Sequence, residues 1–256
     1  MSIDIGGGAP ATGRLLFSGP GAAAENMAID GAILAGTGPD SGPTLRFYSW
    51  NSPTLSLGYF QPYQQRGQHA ESSRLPIVRR ATGGGAIVHD RELTYSLTVP
   101  ASQRWVGAAP ALYRAVHDAV VAALAEFGVT AIRFADSFRL APAGEPFLCF
   151  QRRTDEDLLV NQYKVLGSAQ RRGPGGLLQH GSLLLAASPA APQLPGIAEL
   201  SGRVITAAEI SCALAEKLTA LLKVQWQEAG LSSEERATAL AIQQQKFAAP
   251  AWTQRR

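Results

Sequence analysis

The chain has 256 residues, 46% of them hydrophobic and 17% charged, with a formal net charge of +3. That composition supplies a full hydrophobic core and excludes an intrinsically disordered chain. No apolar run approaches the roughly 20 residues that cross a bilayer, residues 1–12 lack the basic flank and apolar stretch of a secretion signal, and so small a net charge does not point to nucleic acid. Two cysteines, Cys149 and Cys212, are too few for a disulfide framework and show no metal-ligand spacing. The expectation is a cytoplasmic protein with no membrane, nucleic-acid or metal partner, built as one domain over 14–256 behind a flexible tail at 1–13.

Residues 21–36 carry Met27, Ile29 and Ile33 among small residues and read as a helix; Asn26 and Asp30 lie one turn apart on a face expected to be solvated. Residues 44–50 alternate Leu45 and Phe47 with Arg46 and Tyr48, the period of a strand. Residues 54–58 read as a second strand after the Ser52-Pro53 turn, and 59–74, polar and carrying Pro62, Gly67 and His69, as a surface connection. Two strands then flank Gly83-Gly84-Gly85. In the second, Leu93, Tyr95, Leu97 and Val99 alternate with Thr94, Ser96 and Thr98, which predicts one buried and one polar face. Consecutive glycines remove side chains where a ligand or another backbone passes close.

Residues 108–127 give the clearest helix, from Pro110 through Leu112, Val116, Val120 and Leu124, with Gly128 past its end; 129–140 reads as a strand and loop. Three short extended segments follow, carrying Cys149, Lys164 and His180, and turns at Asn161-Gln162 and Gly173-Pro174-Gly175-Gly176 fold them into a meander. Residues 186–205, rich in Ala and Pro, read as a loop. Thr206-Ala207-Ala208-Glu209 is a capping box opening a helix to about residue 225, and Ser232-Ser233-Glu234-Glu235 opens a last helix through about Phe247. The class is α+β: a mixed, mostly antiparallel β-sheet with packed helices.

Several residues admit two readings. Cys149 is either a core thiol at the end of a strand, as free cysteines often are, or a functional one, because the hairpin brings Lys164 back toward it and a nearby ammonium favours thiolate over thiol. Cys212, in a helical pattern, reads as a buried inert thiol. Lys164 is the one lysine in a strand context, while Lys217, Lys223 and Lys246 fall in C-terminal helical segments. Its head either reaches solvent or turns into a cleft and holds a thiolate or oxyanion by charge. His89 and His180 are structural or surface groups, or a general base for an incoming amine. Thr82-Gly83-Gly84-Gly85 is neither a Walker A loop nor a dinucleotide fingerprint; a phosphate cradle and a backbone-walled slot for an acyl chain both fit it. Arg152-Arg153 and Arg171-Arg172 are solvated turn charge or a docking site for an acidic carrier protein.

The run Arg79-Arg80-Ala81-Thr82-Gly83-Gly84-Gly85-Ala86-Ile87-Val88-His89-Asp90 resembles the RRxTGGGAxxHD signature of the lipoate ligase/octanoyltransferase superfamily, whose catalytic domain is shared with biotin protein ligases. The likeness runs from about Gly21 to Phe247. Glu92-Leu93-Thr94-Tyr95-Ser96, the block from Lys164 to Gln170, and Leu178-Gln179-His180-Gly181-Ser182 are similar to the octanoyltransferase branch typified by Gram-positive bacteria. In that branch a cysteine fifteen residues before the lysine is the acyl-thioester nucleophile and the lysine lowers its pKa; Cys149 and Lys164 have that spacing.

The resemblance implies the biotin/lipoate ligase catalytic-domain fold and an octanoyltransferase without cofactor. Cys149 would take an octanoyl (or lipoyl) group from octanoyl-acyl carrier protein and pass it to a lysine of a lipoyl domain, in 2-oxoacid dehydrogenases or the glycine-cleavage H protein. Arg80, Gly83, Gly84, Gly85 and His89 would line the acyl slot beside Thr82 and His180. Gly167, Ser168 and Ala169 would close its other side, with backbone N–H groups near the oxyanion. Gln151-Arg152-Arg153-Thr154 departs from the small, Pro- and Ser-containing stretch of that branch. Three other readings therefore stand beside it: an ATP-dependent lipoate–protein ligase, which would use ATP and Mg and not need Cys149; an amidotransferase taking octanoyl from a lipoylated glycine-cleavage protein; and a non-catalytic acyl- or lipoyl-domain-binding protein.

Overall fold

The structure, a computed structural model, describes residues 11–102, 105, 107–137 and 144–256. Its strands are β1 (Ala11–Gly21), β2 (Thr44–Trp50), β3 (Thr54–Leu57), β4 (Ile77–Arg79), β5 (Ile87–His89), β6 (Glu92–Pro100), β7 (Ile132–Arg133), β8 (Leu158–Val160), β9 (Tyr163–Gly173), β10 (Gly176–Leu184) and β11 (Val224–Glu228). Eight of them form one sheet in the order β11-β1-β2-β6-β10-β9-β8-β7, and β4-β3-β5 form a second. In the large sheet β1 runs parallel to β11 and β2, and every other join is antiparallel.

Helices cover both faces. On one lie α2 (Ala109–Glu126) and α4 (Ala207–Leu222), packed on each other. Their apolar stripes, including Leu112, Val116, Val120, Leu124, Ile210, Leu214 and Leu218, meet Leu45, Phe47, Leu93, Tyr95 and Leu97 of the sheet. Each such large side chain contributes about 1.5–3 kcal/mol on burial, so Leu112→Ala alone costs about 2–5 kcal/mol. On the other face α1 (Ala23–Gly36) packs on α5 (Ser233–Ile242) and reaches β2, β6 and β10. Thr206 and Ser232 cap α4 and α5 by accepting from Glu209 N and Glu235 N, as the capping boxes predict.

The faces differ from the reading of the sequence in one consequential way. Asn26 and Asp30 are not solvated but buried, and so is the polar face of β6. The cause is Arg46 on β2, which points under α1. Its guanidinium donates to Asp30 Oδ1 (2.8 Å), Asn26 Oδ1 (2.8 Å), Asn26 O (3.2 Å) and Ser18 Oγ (3.0 Å). Tyr48 and Ser96 hydroxyls complete the Asp30 carboxylate at 3.0 and 2.8 Å. Every charge in this cluster has a partner, which is what allows it to lie under a helix.

Other boundaries shift. Residues 11–13, assigned to the tail, pair in β1, and residues 1–10 of that tail lie outside the described residues. The strand and loop expected at 129–140 begins with β7, and its last residues, 138–140, also lie outside. The loop at 186–205 contains a short helix, α3 (Ile197–Ser201). The helix expected to reach residue 225 ends at Leu222: Lys223 turns left-handed (φ 53°) and the chain enters β11 at Val224 rather than extending α4. Residues Gln243–Phe247 form a π-turn leading to α6 (Pro250–Thr253). Among the described residues no helix is long and apolar enough to cross a membrane.

Candidate active site

Cys149 does not end a strand. Leu148 makes a single bridge to Ala86: Cys149 N donates to Ala86 O (2.7 Å) and Ala86 N to Phe147 O (2.9 Å). The chain then curls into one 3-10 turn, Cys149–Gln151. This lays the cysteine against the glycine loop, and Gly85 is what permits it. A Cβ at Gly85 would sit 3.0 Å from the Cys149 Cα and N and 2.8 Å from Arg152 Nε. Across the gap, the Asn161-Gln162 turn brings Lys164 opposite Leu159. Lys164 Nζ lies 3.7 Å from Cys149 Sγ and donates to Cys149 O at 3.3 Å. Its firm partner is Asp157, at 2.8 Å, both side chains buried. Asp157 is held by Thr154 N, which donates to its Oδ2 at 2.7 Å. A buried ammonium persists beside a thiol because a carboxylate neutralises it from behind.

Two hollows meet at Cys149. The first is a cavity of about 290 Å³ running under α1, lined by Met27, Tyr48, Ile87 and Phe150 and by polar groups of Arg80, His89, Thr94, His180 and Ser182. The second is a wider groove of about 870 Å³ on the α2 side, lined by Tyr113, Arg114, Arg152 and Lys164. Cys149, Gly84, Ser168 and Gln170 line both. A sulfur at such a junction can hold a group in one hollow while exchanging partners through the other.

The residues singled out from the sequence divide by what they touch. Arg80 ties the glycine loop together, donating to Ser56 O, Gly83 O and Gly85 O. Burial pulls its guanidinium down to about 10, with negative charge at Cys149 acting in the opposite direction and Arg152 adding to the fall. Gly83, Gly84, His89, Gly167, Ser168, Ala169 and His180 line the cavity with it. His89 stacks on Trp50 (3.9 Å between ring centroids) and pairs through Nδ1 with Glu92. Thr82 and Gly85 stand apart from the cavity. Thr82 Oγ1 lies 2.7 Å from His180 Nε2 and faces a neighbouring hollow, and Gly85 lines the outer groove.

His180 Nδ1 lies 3.7 Å from Asp30 Oδ2, which joins the cavity wall to the buried cluster under α1. Burial raises the Asp30 pKa by itself, but Arg46 and His180 overcome it and hold the carboxyl below its ordinary range.

The Ser168 N–H, placed near an oxyanion by the family resemblance, is already taken: it donates to Tyr113 Oη (3.1 Å), which donates in turn to Ser168 O (2.8 Å). Behind it runs a chain of fixed polarity. His117 Nδ1 faces Glu156 O, so it carries the proton; burial holds the ring down to about 3, so it is neutral and Nε2 accepts from Ser168 Oγ (2.7 Å). Tyr95 Oη accepts from Gln179 Nε2 (3.0 Å) and, because Ser168 gives its one hydroxyl proton to His117, donates to Ser168 Oγ (2.7 Å). Burial pushes the Tyr95 pKa up to about 12, which keeps that donor protonated.

Three readings need correction or completion. Cys212 is exposed, not buried: Ser211 and Ala213 face the core and Cys212 falls between them. Three of the paired arginines bond backbone carbonyls: Arg152 donates to Pro146 O, Arg153 to Phe150 O and Arg171, across the fold, to Ala81 O, leaving Arg172 exposed. Asp157 was missed altogether. Its signal was available, a carboxylate opening the strand that the Asn161-Gln162 turn folds against Lys164.

Comparison with known proteins places the chain and its fold. Residues 22–193 match the lipoyl protein ligase A/B catalytic domain. Octanoyltransferase LipM of Kyrpidia tusciae is 34% identical over 277 residues, spanning 96% of this chain and 99% of the relative. Among solved structures, a T. acidophilum protein with bound lipoic acid superposes with a TM-score of 0.78 at 22% identity, over 95% of this chain and 99% of the other. The bi-partite lipoate protein ligase of Thermoplasma acidophilum, solved in work on that ligase and its E2 lipoyl domain, superposes with a TM-score of 0.75 at 20% identity, over 95% and 96%. At such identities the superpositions speak for the fold alone.

Proposed function

We propose that this chain, which belongs to the lipoyl protein ligase A/B catalytic-domain family, is an octanoyltransferase of protein lipoylation that works through a thioester on Cys149. The observation that carries the reading is Lys164 Nζ 3.7 Å from Cys149 Sγ, with the sulfur at the junction of a chain-sized cavity and an open groove and the lysine on the groove side. The Cys149 thiolate attacks the thioester carbonyl of octanoyl-acyl carrier protein. The tetrahedral oxyanion collapses, the S–C bond to the carrier breaks, and the carrier thiolate leaves and takes a proton. The octanoyl chain stays in the cavity as an octanoyl-Cys149 thioester.

The neutral ε-amine of a lysine on a lipoyl domain then attacks the same carbonyl through the groove. An amide C–N bond forms, the Cys149 S–C bond breaks, and the amine's proton passes to solvent or to the returning thiolate. The thioester donor supplies the free energy, so the reaction runs without ATP. Lys164 stabilises negative charge as it develops at sulfur and at the carbonyl oxygen, and Asp157 keeps that ammonium aimed.

Intact-protein mass spectrometry tests the reading. Incubated with octanoyl-acyl carrier protein and no ATP, the wild type is expected to gain one hydroxylamine-labile octanoyl group and Cys149→Ala none. Transfer to a lipoyl domain only when ATP and free acid are supplied would identify a ligase instead. An adduct formed only from a lipoylated glycine-cleavage protein would identify an amidotransferase, and no transfer at all a binding protein.

A further inference from the structure

Several surface cations among the described residues face carboxylates: Arg14 meets Glu235, Arg114 and Arg133 meet Glu156, and Lys217 meets Glu126. A cluster of four beside the glycine loop does not. Arg171, Lys246, Arg255 and Arg256 have no carboxylate within 4.0 Å among the described residues. Three of them lie instead on aromatic faces: Arg255 Cζ 4.0 Å from the Tyr59 ring centroid, Lys246 Nζ 4.3 Å from that of Trp252, and Arg256 Cζ 5.4 Å from that of Phe60. A ring orders a cation without cancelling its charge. The patch thus gathers four cationic side chains with no acidic side chain paired to them, on a chain whose formal net charge is +3.

The patch is bolted to the glycine loop. Tyr59 N donates to Thr82 O (2.8 Å), Arg171 Nη1 donates to Ala81 O (2.8 Å), and the Phe60 ring, itself 66% exposed, lies over Gly83. Residues 81–83 lead directly into the loop that lines the Cys149 cavity. Mutual repulsion among these cations costs stability when nothing faces them; Arg171 and Arg255 both lower the Lys246 pKa, after the larger effect of burial. A surface that keeps such a cost beside a reaction site is suited to an acidic partner that arrives there.

We infer that the cation–aromatic patch of Lys246, Arg255 and Arg256 around Tyr59 and Phe60 is the docking surface for the acidic carrier protein that delivers the acyl thioester. The inference rests on the thioester reading of Cys149 and moves the docking role from Arg152-Arg153 to the far side of the glycine loop. It commits to the donor, not to the lipoyl-domain acceptor.

The test separates binding from chemistry. Binding of fluorescently labelled octanoyl-acyl carrier protein is followed by anisotropy, in the Cys149→Ala background, with and without Arg255→Glu/Arg256→Glu. The charge reversal is expected to raise Kd by roughly tenfold or more at low salt, with the two proteins converging as salt screens the patch. Arg255→Gln/Arg256→Gln, milder for folding, is expected to move Kd the same way by less. In the active protein, loading of Cys149 from octanoyl-N-acetylcysteamine, a thioester with no protein attached, is expected to be unchanged by the reversal. An unchanged Kd and salt slope would overturn the inference, as would an unchanged Kd for the carrier with a raised Kd for a lipoyl domain, which would assign the patch to the acceptor. Failure of the small thioester to load wild-type Cys149 would instead count against the thioester reading, while anisotropy still decides the docking.

Discussion

Two buried ion pairs in this molecule look alike and are built for different ends. Asp30–Arg46 and Asp157–Lys164 both close at 2.8 Å, and in both the side chains are 1–3% exposed. Burial and length therefore do not distinguish them; what differs is how many of their hydrogen-bonding positions are taken. Arg46 spends its donors on Asp30, Asn26 and Ser18, and Asp30 also accepts from Tyr48 and Ser96. Lys164 makes one short bond, to Asp157, and its other contacts are long ones to Cys149 O and Sγ. The first pair is closed and holds α1 on the sheet. The second is open on one side, and that side faces a sulfur.

Substituting the two cations is the strongest way to break this contrast. Arg46→Met strands a carboxylate under α1 and is expected to cost about 3–5 kcal/mol of stability, read from urea melts, while each folded molecule still loads octanoyl at a near wild-type rate. Lys164→Met is expected to slow loading of Cys149 by roughly 10²–10³-fold, the range for loss of one group that stabilises developing charge. The double variant Lys164→Met/Asp157→Leu is expected to recover stability over the single one without recovering loading. If Arg46→Met slowed loading and Lys164→Met only lowered stability, the assignment of the two pairs would be reversed.

A finer probe moves the lysine without removing it. A Cβ at Gly167 would lie 2.7 Å from Lys164 Cε and 3.0 Å from its Nζ. Gly167→Ala is therefore expected to push the ammonium off Cys149 and slow single-turnover loading by roughly tenfold, at a stability cost of about 1–3 kcal/mol. An unchanged loading rate would mean that the position of the ammonium beside the sulfur is not critical.

The smallest effect is a pH slope that separates the Asp30 cluster from the chain behind Ser168. Asp30 is held below its ordinary value of 3.8. Its contribution is present above that value and is lost only as pH falls through the lower folded one, so it is silent between pH 6.5 and 5. His117 is lowered by burial from 6.5 to about 3 in the folded state. Below pH 6.5 the unfolded chain takes up a proton that the folded chain refuses, so this group removes stability as pH falls from 6.5 toward 3. The slope is about 1.4 kcal/mol per pH unit. Urea melts at pH 7, 6 and 5 are expected to show it in the wild type and a shallower slope in His117→Gln; equal slopes would place the proton elsewhere.

Much of this molecule is legible in its sequence because the signals are local. The Thr206 and Ser232 caps, the alternation in β2 and β6, the Asn161-Gln162 turn and the α2 stripe each depend on residues within a few positions of one another, and each appears where periodicity and capping chemistry put it. The family signature from Arg79 to Asp90 and the spacing of Cys149 and Lys164 are local in the same sense. Periodicity states which residues share a face; it does not state what covers that face. Only the tertiary structure decided that Asn26, Asp30 and the polar side of β6 lie under a helix, because Arg46 reaches them from another strand. Only it placed β11 in the sheet, since its pairing is with β1 across more than 200 residues, and put Asp157 behind Lys164. Cys212 shows the limit at its narrowest: a helical pattern assigned its segment correctly, and a single step of rotation from Ser211 put its thiol in solvent rather than in the core.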